Sequence, residues 1–261
     1  PLTVNGVLTI GTGTTLDARG FALNLGGNFV VDGTYLPSNN TTFFTSNGAV
    51  LISGSSPSLA FYRLTKNGTV TLSLSRSITI NDEFWLASGT LSDAGNSITV
   101  KSTVTVDGTH TSSGGNGLVF NGNAMQQLRR SAAGTGVLGV VTIDNANSVL
   151  IPDGNGYNFL INGGLRLSNG VFDIQGSLLE LGVNAPITAV NPFGVLNMIQ
   201  TNSSFTDNGV QKNFNSGVTT DFIFPVGQGK YTPVRWNFSS IGYTTGGSPG
   251  TITVRPANER H

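Results

Sequence analysis

One five-residue pattern recurs three times along this chain of 261 residues. It reads Leu2-Thr3-Val4-Asn5-Gly6, then Ile78-Thr79-Ile80-Asn81-Asp82, then Phe159-Leu160-Ile161-Asn162-Gly163. From Val4 to Ile80 is 76 residues, and from Ile80 to Ile161 is 81. Each copy leads through glycines to a second alternating strand. Val4 is matched by Leu25 after 21 residues, Ile80 by Val100 after 20, and Ile161 by Leu181 after 20. Repetition at this spacing constrains the fold more than any local propensity. About 20 residues holding three short strands suits one turn of a parallel β-solenoid. If the copies are stacked coils, Val4, Ile80 and Ile161 occupy equivalent buried positions.

The rest of the chain agrees with an all-β reading. Alternation is plain in Val70-Thr71-Leu72-Ser73-Leu74, Val104-Thr105-Val106 and Leu165-Arg166-Leu167. Period two sends one side chain inward and the next into water. Glycine contributes 36 residues, about twice its usual share, which disfavours helices and suits tight corners. Asn-Gly and Asp-Gly pairs punctuate the strands, including Asn5-Gly6, Asp32-Gly33, Asn67-Gly68, Asp107-Gly108 and Asn169-Gly170. These pairs tolerate positive φ and supply corners. They are also hairpin signals, so antiparallel β-sandwich repeats are the competing topology. The spacing of about 20 residues favours the coil.

Three copies near 1–77, 78–158 and 159–208 then form a solenoid repeat region. From about Gly209 the texture changes, with Pro225 and Pro233 at strand ends. Residues 209–261 read as a small terminal β module or the start of a further domain. Solenoids commonly end in such a cap.

Charge excludes several functions. Thirteen basic and thirteen acidic residues balance, and only 10% of the chain is charged. Nucleic-acid binding needs a basic stripe, and none is present. No apolar run approaches the roughly 18 residues of a membrane span. The absence of cysteine excludes disulfides and thiolate chemistry, and leans towards a bacterial surface protein.

One segment carries a resemblance. Phe222-Ile223-Phe224-Pro225-Val226-Gly227, followed by Tyr231-Thr232-Pro233-Val234, is similar to a module of very large secreted Bacteroidota proteins. The Gly/Asn/Thr-rich texture of the first 208 residues resembles their β repeats. Many of those proteins are type IX secretion substrates, and some are cell-surface adhesins. The resemblance implies a secreted, cell-surface, non-catalytic stalk segment. Its expected partners are other segments of the same polypeptide, with surface glycans or the secretion machinery as further candidates.

Few residues suggest chemistry. Asp82-Glu83 is the only adjacent acid pair and lies beside Phe84-Trp85. Paired carboxylates serve glycoside cleavage, and parallel β-helices host such enzymes, so a carbohydrate-active β-helix is the alternative function. Trp85, Asp82 and Glu83 are therefore the candidate glycan contacts. Other aromatic candidates are Phe61-Tyr62, Tyr157, and Tyr231 with Trp236. Asp32 and Asp107 head equivalent Asp-Gly-Thr steps. They offer Ca²⁺ one carboxylate per corner, too few for a site that prefers six or more oxygens. No cofactor is expected, and both steps read first as turns. His110 and His261 are the two histidines, and no Gly-x-Ser-x-Gly elbow accompanies them.

Overall fold

The computed structural model describes residues 1–216, 220–239 and 250–257. His261 lies outside them. The described residues form strands and turns with no helix. The chain winds as a parallel β-solenoid of about nine three-strand turns. Antiparallel sandwich repeats are excluded, because every ladder from Leu2 to Thr201 runs parallel.

The first face of the coil is the most regular. It begins with Leu2–Val4, Leu23–Leu25, Thr41–Phe44, Arg63–Lys66, Phe84–Leu86, Val104–Val106 and Gln126–Arg129, one strand per turn. The second face starts at Leu8–Ile10, Phe29–Val31 and Val50–Ser53. The third holds Thr15–Asp17 paired with Thr34–Leu36, and resumes with Ala60–Phe61, Ile78–Ile80 and Ile98–Val100. In two later turns the second and third faces merge into long strands, Gly134–Asp144 and Tyr157–Asn169.

Alternation sets the core as period-two patterning requires. Leu25, Phe44, Leu86 and Val106 stack in one inward column of the first face, all essentially without exposure. Phe29, Phe44 and Phe61 meet in the centre, with ring centroids 6.1 Å apart for Phe29–Phe61 and 6.4 Å for Phe44–Phe61. Phe61 is therefore core and not a ligand platform.

The one-turn matches are direct neighbours. Val4 pairs with Leu25, Ile80 with Val100 and Ile161 with Leu181. The longer repeat behaves differently. Val4 lies on the first face, Ile80 on the third and Ile161 on the second. Ile80 and Ile161 are fully buried, whereas Val4, in the outermost turn, is half-buried. The expected equivalence of these positions is thus corrected. The structural unit is the single turn. Any inward strand ending at an Asn-led corner meets the same demands, whichever face it occupies.

The corner glycines also need reinterpretation. Among those in the Asn-Gly and Asp-Gly pairs cited, only Gly170 has positive φ, at 91°. Gly33, Gly68 and Gly108 serve close approach, whereas a Cβ on Gly6 would meet nothing within 4 Å. A Cβ on Gly33 would sit 2.3 Å from the Gly11 carbonyl oxygen, and one on Gly108 would sit 2.6 Å from that of Gly89. Successive turns touch backbone to backbone at these corners, so side chains are excluded there.

The boundary expected at 209 falls inside a parallel ladder. Gly209–Phe214 pairs parallel with Leu178–Leu181, and Val226–Gly227 with Ile199–Thr201. Antiparallel pairing enters with Gly250–Val254 on Gly209–Phe214, and with the Thr220–Phe224/Val234–Phe238 pair. Such pairing ends the stacking direction of the coil.

Candidate functional site

The expected Asp82–Glu83–Trp85 cluster is built on the Phe84–Leu86 strand and the corner before it. Trp85 points outward between two buried neighbours, Phe84 and Leu86. Its indole Nε1 donates to Asp107 Oδ2 at 2.9 Å, which fixes the ring plane. Parallel register then places Thr105 beside Trp85 and Arg129 beside Thr105. The result is a shallow hollow of about 250 Å³ bordered by Glu83, Trp85, Arg129 and Tyr157, with Thr105 in the middle.

The two adjacent acids diverge. Asp82 Oδ2 accepts from Arg63 Nε at 2.7 Å, on the side away from the hollow. Glu83 faces Arg129 at 4.0 Å. Glu83 and Trp85 are therefore brought together, and Asp82 is not among the residues bordering the hollow. The Asp82 hydrogen bond and charge raise the Arg63 pKa above its ordinary value. Burial works against ionisation of Asp107, but hydrogen bonds from Trp85 and Ser131 and the Arg130 charge outweigh it and lower its pKa.

The two Asp-Gly-Thr steps do the same job on different faces. Asp32 and Gly33 both donate their N–H groups to the Ile10 carbonyl, and Asp107 and Gly108 both donate to that of Leu86. Each carboxylate then accepts an N–H from one turn further on. Asp32 takes that of Ser55 at 2.8 Å, and Asp107 that of Ser131 at 2.9 Å. These aspartates tie three consecutive turns together. Among the described residues no three His, Cys, Asp or Glu side chains converge as metal ligands.

His110 lies in a buried network that sequence reasoning missed. Its Nε2 faces Asp93 Oδ2 at 3.0 Å, and Ser112 Oγ donates to the same oxygen. Its Nδ1 accepts the Gly139 N–H at 3.3 Å, which leaves the proton on Nε2. Ser112 Oγ accepts the Val140 N–H at 2.8 Å. The ladder register slips between Leu138 and Val140, and these two side chains take up the amides exposed there. Burial raises the Asp93 pKa, but the hydrogen bonds from His110, Ser112 and Gly95 more than reverse this. The carboxylate stands between the hydroxyl and the imidazole. The imidazole therefore cannot deprotonate the serine as a triad requires.

Two lysines were equally unforeseen. Lys66 aligns with Phe44 and Leu86, and Lys212 with Leu181, so both stems enter apolar columns. Their ammonium groups reach corner carbonyls, Gly68 and Ser88 for Lys66, and Gly182 and Val183 for Lys212. Burial lowers both pKa values, that of Lys212 to about 8. The unfolded chain keeps this proton up to about pH 10.4. Between about pH 8 and pH 10 the unfolded state therefore binds more protons, and stability rises with pH. Thermal melts should show the midpoint climbing from pH 8 to pH 9.5, with the slope reduced in Lys212→Met. A slope unchanged in that variant would mean that Lys212 keeps its proton in the fold.

No protein-family model, curated protein or solved structure matches this chain.

Proposed function

We propose that the chain is a rigid, non-catalytic spacer within a secreted bacterial cell-surface adhesin. One observation carries the reading: every carboxylate among the described residues already has a partner within the protein. Asp82 is paired with Arg63, Asp144 with Asn121, Asp173 with Gln200, and Glu180 with Asn213. Glycoside cleavage needs two carboxylates flanking one bond. Asp82 and Glu83, the only adjacent acids, are drawn to different arginines. The coil is suited to length. About nine turns at about 4.8 Å each extend roughly 45 Å, with continuous backbone ladders and a self-stacking core. The Bacteroidota-like Phe222–Val234 string supports the surface setting, and type IX export follows from that resemblance. The first turn exposes Leu2 and Phe21 around an apolar hollow of about 350 Å³, a surface that a further segment of the same polypeptide would cover.

The test is incubation with neutral and acidic polysaccharides, with and without Ca²⁺, followed by a reducing-end assay and absorbance of unsaturated products. No turnover is expected. Turnover that disappears in Glu83→Gln or Asp82→Asn would overturn the spacer reading in favour of a carbohydrate-active β-helix.

A further inference from the structure

We propose that the hollow over Thr105, between Trp85 and Arg129, binds a neutral hexose unit of a polysaccharide. The inference adds a ligand to the spacer and does not depend on it. Four observations converge. First, Trp85 is the only exposed large apolar side chain between Leu36 and Met125, at 38% exposure. The outward neighbours in its row, Thr65 and Thr105, are small and polar. An isolated exposed tryptophan in such a row leaves apolar ring surface in water.

Second, the geometry is preorganised. Trp85 and Arg129 stand on strands two apart, hence about 10 Å at the usual strand spacing, with the short Thr105 between them. The hollow of about 250 Å³ is smaller than a drug-sized site, and fits one sugar ring rather than a buried oligomer. The hydrogen bond to Asp107 holds the indole in place, so little side-chain entropy is lost when a ring stacks on it. The C–H groups on one sugar face carry partial positive charge and meet the negative face of the indole.

Third, the charge is balanced. Glu83 pairs with Arg129 at 4.0 Å and Arg130 with Asp107 at 3.9 Å. A uronate would compete with Glu83 for Arg129. A neutral vicinal diol instead accepts from the guanidinium and donates to the carboxylate, and both charges keep their partner. The Glu83–Arg129 pair is long and half-exposed, so a diol can enter it at small cost.

Fourth, the site has one usable carboxylate. Asp107 is engaged by Trp85, Ser131 and Arg130, which leaves Glu83, in its long pair with Arg129, as the carboxylate a ligand can reach. That set suits binding and lacks the second acid that cleavage requires.

The experiment uses the full chain in a Trp236→Phe background, where Trp85 is the remaining tryptophan. Intrinsic fluorescence is titrated with cellohexaose, maltohexaose and mannohexaose, and with hexagalacturonate as the acidic comparator. At least one neutral hexamer should shift the emission saturably at millimolar concentration, with hexagalacturonate at least tenfold weaker. Arg129→Ala should weaken the neutral hexamer at least tenfold, with an unchanged far-UV spectrum. Trp85→Ala should do the same by calorimetry. No saturable response to any neutral hexamer would overturn the proposal. So would tighter binding of hexagalacturonate, or affinity unchanged in a folded Arg129→Ala protein.

Discussion

Replacing Ile80 by Asp is expected to destabilise the protein by on the order of 4 kcal/mol, whereas Thr79→Asp costs about 0.5 kcal/mol. The two positions share a strand, Ile78–Ile80, and both receive the same new side chain. Ile80 is fully buried and stacks between Phe61 of the preceding turn and Val100 of the next. A carboxyl group there finds no partner, so it must take up a proton, draw in water or open the turn. Thr79 is half-buried in the outward row, beside Ala60 and Thr99, where a carboxylate can reach solvent. Because the ladders join each turn to its immediate neighbours, damage at Ile80 also uncouples the turns on either side. A single denaturation transition should then broaden or split. Urea melts followed by far-UV circular dichroism measure both effects. Equal losses from the two variants would mean that alternation does not separate inside from outside.

That comparison depends on the part of the fold most legible in the sequence. The one-turn spacing placed Ile80 against Val100 because parallel coils repeat in register, and register is visible as matched apolar alternation. The face on which each strand lies was not legible. Faces differ by which corner precedes them, and corners vary in length without a distinctive residue signature. Hence Val4, Ile80 and Ile161 look alike as sequence and sit on three faces. Lys66 and Lys212 were hidden for a related reason. Each occupies the alternation phase of a core residue, but a lysine there reads as a break in the pattern. Only the stacked corner carbonyls reveal why the ammonium is tolerated. For the candidate site, Glu83 and Trp85 were visible as local neighbours. Arg129 lies 44 residues beyond Trp85 and joins them only through two successive ladders.

Identical dipeptides can carry different structural demands, and Asn5-Gly6 and Asn67-Gly68 offer the sharpest case. Gly68→Ala is expected to cost about 2–3 kcal/mol, in the range of forced overpacking, while Gly6→Ala stays within about 0.5 kcal/mol. Neither glycine has positive φ, so left-handed strain does not enter the comparison. A Cβ on Gly6 meets nothing within 4 Å. A Cβ on Gly68 would lie 2.0 Å from the Ser46 carbonyl oxygen, a backbone atom that cannot rotate away. Retreat is also blocked. The N–H groups of Asn67 and Gly68 both donate to the Phe44 carbonyl, at 3.1 and 3.2 Å. The Gly68 carbonyl accepts from Lys66 Nζ, and from Ser88 Oγ at 3.2 Å. Relief of the clash therefore breaks hydrogen bonds to the turn before or the turn after, and the buried Lys66 ammonium loses an acceptor. Urea midpoints at pH 7 give the two losses directly. If Gly68→Ala melts with Gly6→Ala and the wild type, the corner tolerates a side chain, and close stacking of turns is not what selects glycine there.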